Sequence, residues 1–225
     1  MMNNLFSIFD PSTTIINLNL NWLSSILILS FLPPLYWLIP SKLSSLLISL
    51  TSSLKKELST LLGPSYFTSS PLILITLFLF ILTNNILGLV PYIFTASSHL
   101  SFTLSLAVPL WLTAILYGWL QNTIHSLAHL VPQGTPNALM MFMVCIETTS
   151  NFIRPITLSV RLAANMIAGH LLMTLLSNAL ANINFMAYAT LVPTQLALIT
   201  LESAVAIIQA YVFTVLTTLY ISESN

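Results

Sequence analysis

The sequence contains very few charged residues. Of its 225 residues, five are Lys or Arg and five are Asp or Glu, which is 4% of the chain, whereas soluble domains carry about 25%. Hydrophobic residues make up 56% and the mean hydropathy is +0.94. This composition excludes an ordinary soluble domain and predicts a helical protein that crosses a membrane several times.

The sequence also has only one cysteine, no formal net charge and none of the common nucleotide-binding motifs. The single cysteine, Cys145, excludes an internal disulfide framework, and we interpret it as a small apolar side chain rather than a reactive thiol. The formal net charge is zero, so no overall field attracts nucleic acid. Without a phosphate-binding loop, a dinucleotide fingerprint or a serine nucleophile elbow, we expect no ATP site, no cofactor and no enzymatic activity in this chain by itself.

The order of apolar segments predicts an all-α membrane protein, formed as a single integral membrane domain over residues 1–225. We expect about five transmembrane helices, one interfacial amphipathic helix, and a long, steeply tilted C-terminal helical hairpin. The predicted spans are residues 15–39, 71–90 and 100–120, the interfacial helix is 41–62, and the hairpin is 138–178 with 185–220.

The segment 41–62 differs from the spans in its pattern. Its leucines recur at helical spacing, while mainly serines, three lysines and a glutamate fill the other positions. This pattern predicts an amphipathic helix that lies in the membrane interface rather than crossing it, and Gly63-Pro64 ends it. In the next span, we interpret Asn84 and Asn85 as bonding neighbouring helices or meeting the interface, not as part of a transport pathway.

The segment 138–178 is too long for an upright spanning helix. Forty helical residues extend roughly 60 Å, and the hydrocarbon core is roughly 30 Å thick. The helix must therefore either break, with Pro155 as the favoured point, or tilt by about 60°.

Lysines in the connecting segments predict the orientation. Lys42, Lys55 and Lys56 all lie between the first and second predicted spans. The positive-inside rule places that connection on the cytoplasmic or matrix side. Five crossings then put the N-terminus outside and the C-terminus inside.

A stripe of polar residues runs along the segment 138–178. Glu147, Arg154 and Arg161 are spaced seven residues apart, so each lies only about 20° around the helix from the last, and Asn151 and Asn165 join them. A charge at the bilayer centre costs roughly 2.5 kcal/mol or more, which favours a functional interpretation. The alternative is a structural ion pair between Glu147 and the arginine at i+7, which we expect to need a water or a bent helix.

The last segment, 185–220, carries polar residues at the same seven-residue spacing. Glu202 and Gln209 are again seven residues apart, with Ala206 between them, and small residues on both segments permit close approach. His170 is nine residues from Arg161, which places the two on opposite faces. Two interpretations of His170 stay open, a proton relay or a histidine bonded to a neighbouring carbonyl.

His125 and His129 are four residues apart, a spacing found among metal ligands. No cysteine or acidic residue stands near them in the sequence. We therefore interpret them as interfacial loop histidines rather than a metal site.

Several segments together resemble one known family. The run from Cys145 to His170, which contains Glu147, Arg154 and Arg161, closely resembles the a subunits of animal mitochondrial ATP synthases. Three shorter runs also fit this family: the stretches 4–11, 61–64 and 128–136. So does the stretch 201–209, and the resemblance covers essentially the whole chain.

The resemblance implies a proton-conducting stator beside a rotating ring of c subunits, each with one membrane carboxylate. Protons would enter through one half-channel, travel on the ring and leave through an offset second half-channel. Arg161 matches the family's essential arginine. Glu202 and His170 match residues of the half-channel on the intermembrane-space side. Glu147 matches the carboxylate that lines the matrix-side half-channel.

The remaining implications concern neighbours and location. Asn165 and Gln209 match polar residues near the essential arginine. The implied partners are the c-ring, the peripheral-stalk and other membrane subunits, and the lipid bilayer, with protons as the transported ion. The implied location is the mitochondrial inner membrane, with the N-terminus toward the intermembrane space and the C-terminus toward the matrix.

Two other classes of protein compete with this interpretation. A secondary transporter or an ion channel also carries charged residues near the midplane, but transporters typically show inverted repeats and helices broken at the binding site, and neither pattern is visible in the sequence. A purely structural membrane anchor leaves the seven-spaced ionisable stripe unexplained.

Overall fold

A computed structural model describes most of the chain: residues 6, 9–13, 18–33, 39–63, 70–121, 123–131, 139–180 and 185–223. Within these ranges the regular elements are helical, which confirms the all-α class. They comprise seven α-helices: α1 Leu23–Leu27, α2 Lys42–Leu62, α3 Ser70–Gly88, α4 Leu100–Gln121, α5 Thr123–His129, α6 Met140–Leu180 and α7 Phe185–Glu223.

Four of these helices are long and apolar enough to cross a membrane. Their apolar stretches are Pro71–Gly88 in α3, Leu100–Gln121 in α4, Met140–Ala179 in α6 and Thr190–Ser222 in α7. The two longest are α6 and α7, and they pack against each other as the predicted C-terminal hairpin.

The first predicted span is only partly helical. A continuous helical stretch from Leu20 to Phe31 is built from a 3-10 turn, α1 and a second 3-10 turn. Leu32 is extended, with φ −69° and ψ 125°, because a residue that precedes proline, here Pro33, disfavours the α conformation. Ile39, the predicted end, is not helical, and residues 14–17 and 34–38 lie outside the described part.

The amphipathic helix α2 is capped at both ends by its own sequence. The Ser41 hydroxyl accepts a hydrogen bond from the Ser44 backbone N–H at 3.4 Å, which satisfies one of the open N-terminal donors. At the other end, Gly63 has φ +76°, a conformation that glycine adopts without steric cost. Leu58 and Leu62 are buried against Leu74 of α3, whereas leucines of the N-terminal half of α2 stay exposed: Leu43, Leu46 and Leu50.

Small residues bring the spanning helices together. α3 packs against α7, and α6 packs against both α4 and α7. Ala206 and Ala210 of α7 are fully buried, and Ala163 of α6 is 3% exposed. Because lipid tails are as apolar as a leucine side chain, association rests on van der Waals contact, and alanines allow backbones to approach closely.

α6 runs unbroken through Pro155 for 41 residues. The predicted break at Pro155 is therefore wrong, and a steep tilt is the remaining way to place a helix of roughly 60 Å in a core of roughly 30 Å. Proline has no N–H to offer the carbonyl one turn earlier, at Asn151, but spanning helices tolerate this loss where neighbouring groups compensate.

Gly88, the last residue of α3, is closely packed against its neighbours. A Cβ on Gly88 would lie 2.9 Å from Thr95 Cγ2 and 3.6 Å from Met166 Cε. We expect Gly88→Ala to destabilise the fold by about 1–3 kcal/mol, the usual cost of overpacking, measured as a lower melting temperature of the purified complex. Adding Thr95→Ser removes the clashing methyl group and should restore most of the loss. If the double variant melts no higher than Gly88→Ala alone, this contact is not the cause.

Candidate functional site

The ionisable residues of α6 and α7 form two clusters with one isolated cation between them. Glu202 of α7 pairs with His170 of α6. Glu147 pairs with Arg154, and both belong to α6. Arg161 lies between the two clusters along α6. The predicted charged residues therefore separate into three positions along the helical hairpin.

Glu202 and His170 form the more deeply buried cluster. His170 Nε2 lies 3.9 Å from Glu202 Oε1, and their side chains are 14% and 7% exposed. This distance is longer than a direct hydrogen bond and suits a bridging water. Within the described residues His170 Nε2 has no hydrogen-bond partner, so it does not make the carbonyl bond that we considered as the alternative.

Gly169 creates the space for the Glu202 side chain. A Cβ at this glycine would lie 2.5 Å from Glu202 Oε1 and 2.7 Å from its Cδ. The carboxyl group therefore rests directly on the α6 backbone, where a larger residue than glycine would displace it. Sequence reasoning identified this glycine only as one of several small residues.

Further buried polar groups lack a hydrogen-bond partner in the described part of the chain. Asn85 donates to the carbonyl of Ala206 at 3.4 Å, one turn after Glu202, which confirms the predicted bond between helices. Within the described residues, six buried side-chain atoms lack a hydrogen-bond partner: Asn84 Oδ1, Asn85 Oδ1, Ser97 Oγ, His99 Nε2, His170 Nε2 and Glu202 Oε1. Unpaired buried polar atoms are costly, and two to four such groups can hold a water.

Ser97 and His99 are buried polar residues that the sequence analysis did not identify. They lie in the turn between α3 and α4, which packs against α6, and the His99 ring contacts the Phe94 ring with a centroid distance of 5.2 Å. The only sequence signal is a short polar stretch, residues 95–99, between two apolar spans. Nothing in that stretch predicts that it folds inward.

An amide pair links α6 and α7 beside the isolated cation. Asn165 Nδ2 donates to Gln209 Oε1 at 3.2 Å. Arg161 stands one helical turn before Asn165 and is exposed, and among the described residues it makes no ion pair. Because His170 is largely buried while Arg161 is exposed, the two do serve different surfaces, as their spacing predicts.

Glu147 and Arg154 lie within ion-pair distance of each other across two helical turns. Arg154 Nη2 lies 3.9 Å from Glu147 Oε1, and the side chains are 29% and 34% exposed. We expected an i,i+7 contact to need a water or a bent helix. The two long side chains cover most of the roughly 10.5 Å between these positions, and the remaining distance is longer than a direct hydrogen bond, so a bridging water stays a prediction.

Metal binding and transporter-like helices find no support in the described part of the chain. The side chains of His125 and His129 lie outside it, and the described residues contain no group of three or more potential metal ligands. α6 and α7 are continuous over their described lengths, unlike the discontinuous helices typical of secondary-transporter binding sites.

These features define a polytopic helical membrane protein whose two long, paired helices carry two clusters of ionisable residues, an amide pair between the helices and an exposed arginine. A family model described as ATP synthase A chain matches residues 4–222. The chain belongs to this family.

Full-length relatives agree with the family match. The proteins named ATP synthase subunit a from Anopheles gambiae and Drosophila mauritiana are each 60% identical to this chain, and that from Aedes aegypti is 59% identical. Each alignment covers 100% of both proteins. The resemblance to mitochondrial a subunits is thus confirmed, and the chain is a multi-pass membrane component of the Fo sector of ATP synthase, not a catalytic subunit.

The contact between Gly169 and Glu202 leads to a prediction about the site. Gly169→Ala should displace the Glu202 carboxyl group and lower the melting temperature of the assembled complex, because overpacking costs about 1–3 kcal/mol. The melting temperature would be compared with that of Ala128→Ser, which adds one atom at an exposed position of α5. Equal melting temperatures in the two variants would contradict the prediction.

Proposed function

We propose that this chain is the proton-translocating stator of the complex. It provides two offset half-channels that pass protons to and from the carboxylates of a rotating c-ring, and this passage drives rotation. The observation that carries the proposal is Arg161, an exposed permanent cation in the middle of a long apolar helix, without an acidic partner among the described residues.

The cost of this charge argues for a partner outside the chain. An arginine at the bilayer centre costs roughly 2.5 kcal/mol or more, and such residues mark ion pathways. A carboxylate carried past Arg161 by the ring offsets that cost. Because a guanidinium does not give up its proton in proteins, Arg161 attracts the ionised carboxylate without relaying a proton, and so blocks direct leakage between the half-channels.

Glu202 and His170 carry protons in the half-channel on the intermembrane-space side. Supporting this role, both side chains are largely buried, their polar atoms face each other at 3.9 Å, and each has an atom without a hydrogen-bond partner in the described chain. A carboxyl and an imidazole both exchange protons, with one water completing the link. Asn165 and Gln209 hold the two helices together beside Arg161.

Glu147 serves the matrix-side half-channel. It precedes Arg161 by fourteen residues on α6, about 21 Å along the axis, whereas His170 follows Arg161 by nine residues, about 13.5 Å. The two proton-exchanging clusters therefore lie on either side of the blocking cation. Each proton that completes the passage releases about 2.3 kcal/mol per 100 mV of membrane potential.

Orientation and partners complete the proposal. Lys42, Lys55 and Lys56 of α2 face the matrix, which places the N-terminus toward the intermembrane space and the C-terminus toward the matrix. The exposed face of α6 and α7 that carries Arg161 contacts the c-ring, and the remaining surface contacts peripheral-stalk and other membrane subunits and lipid. The chain forms one integral membrane domain over residues 1–225.

Removal of the cation tests the central claim. Arg161→Ala should abolish ATP synthesis coupled to proton flow, because the ring carboxylate loses its charge partner and the barrier between half-channels disappears. ATP synthesis and passive proton leak would be measured in vesicles with equal amounts of assembled complex. Arg154→Ala serves as a control for the loss of an arginine from the same helix and should retain part of the activity. Retained coupled synthesis in Arg161→Ala would refute the role.

Neutralising Glu202 tests the half-channel on the intermembrane-space side. Glu202→Gln keeps the shape of the side chain but removes the group that gains and loses a proton, so proton flux in the direction of synthesis should fall. Glu57→Gln is the matched control, because Glu57 lies exposed on α2 and contacts the hydroxyl of Tyr211 rather than the site. The proposal predicts a loss only at position 202, and unchanged flux there would count against it.

A further inference from the structure

One charged residue in the polar stripe has no part in the proposed function. Arg154 lies on α6 between Glu147 and Arg161, and the described side chains beside it include a carboxyl group and an aromatic ring. Its Nη2 is 3.9 Å from Glu147 Oε1, and its guanidinium carbon is 5.3 Å from the centre of the Tyr220 ring on α7. We refer to Glu147, Arg154 and Tyr220 as the Arg154 cluster.

The Tyr220 ring lies where three helices meet. Together with residues of these helices it lines a small cavity, whose other members are Ala107, Leu110, Trp111, Pro155, Leu158 and Thr217. Trp111 of α4 also contacts Phe152 of α6, with the two ring planes tilted by 53° at a centroid distance of 5.4 Å. The ring of Tyr220 therefore lies beside Arg154 among residues of α4, α6 and α7, and an aromatic face attracts a guanidinium within about 6 Å.

The contact with Arg154 leaves the Glu147 carboxyl group open to its surroundings. The ion pair is 3.9 Å long through Oε1, and the Glu147 side chain is 34% exposed. A carboxylate that exchanges protons must keep one oxygen directed into the pathway through repeated cycles. A planar guanidinium anchored on an aromatic ring provides such a fixed reference point, which a flexible ammonium group does not.

We propose that Arg154 is a positioning residue for Glu147: anchored on the Tyr220 ring, it orients the Glu147 carboxyl group for proton exchange in the matrix-side half-channel. This inference rests on the proposed role of Glu147. It assigns Arg154 a different task from Arg161, which faces outward without an acidic partner in the described chain. The two arginines of the stripe thus have different roles. Arg154 orients the Glu147 carboxylate of the same helix, and Arg161 faces the carboxylate of the rotating ring.

Substitution at Tyr220 tests the anchor without touching a charged group. Tyr220→Phe keeps the aromatic face and should leave proton flux unchanged, whereas Tyr220→Leu removes it and should lower flux by about two- to fivefold, the range that corresponds to an exposed cation–π contact. Flux is measured in vesicles and divided by the amount of assembled complex. Equal flux in the two variants overturns the anchoring role.

Substitution at Arg154 tests the link to Glu147. Arg154→Gln should lower flux more than Arg154→Lys, because lysine keeps the charge but not the planar group. If Arg154 acts only through Glu147, the double variant Glu147→Gln/Arg154→Gln should conduct no less than Glu147→Gln alone. A further, multiplicative loss in the double variant overturns the inference. The double variant also removes both charges together, which protects the comparison from misfolding caused by one unpaired charge.

The two proposals fail in different ways. If Glu147→Gln conducts as well as the parent chain, the role of Glu147 in the half-channel is wrong, and the inference about Arg154 falls with it. If Glu147→Gln loses flux while Arg154→Gln conducts as well as the parent, the half-channel role stands and only the positioning role of Arg154 is refuted.

Discussion

The arrangement of charged residues on α6 and α7 depends on how the positive charge of Arg161 is balanced within the membrane. The chain has only five acidic residues, and two of those on α6 and α7 have cationic or titratable neighbours within the helical hairpin: Glu147 has Arg154 and Glu202 has His170. Arg161 is left exposed on a helix whose environment makes an unpaired charge expensive. In the proposed mechanism, a carboxylate from another subunit offsets that remaining cost.

Close packing of two helices makes the buried half of this arrangement possible. Gly169 provides the space in which the Glu202 carboxyl group lies, and fully buried alanines at 206 and 210 let α7 approach its neighbours. With larger residues at these positions the helices would separate, and Asn165 and Gln209 would no longer be within hydrogen-bond distance. The small residues are therefore a condition for the geometry of the polar groups as much as for packing.

The sequence predicts features that depend on one helix alone, and it does not predict contacts that depend on the packing of several helices. The seven-residue spacing of Glu147, Arg154 and Arg161 places them on one face whatever surrounds the helix, and long apolar runs define spans by length alone. In contrast, the continuity of α6 through Pro155 depends on the surrounding helices. The inward position of His99 depends on the packing of a turn against α6, and the contact of Arg154 with Tyr220 depends on α7. No pattern within one segment encodes these contacts.

In the proposed mechanism, the unbroken length of α6 determines how far apart the two proton-exchanging clusters lie. Glu147 and His170 are 23 residues apart, about 34 Å along the helix, which in an upright helix would exceed the hydrocarbon core of roughly 30 Å. At a tilt of about 60°, the same separation becomes about 17 Å in depth and about 30 Å across the membrane plane. A break at Pro155 would have lost this lateral offset. In the proposed mechanism the offset separates the two half-channels sideways, so a ring carboxylate that takes up a proton at one cluster would have to travel around the ring before reaching the other.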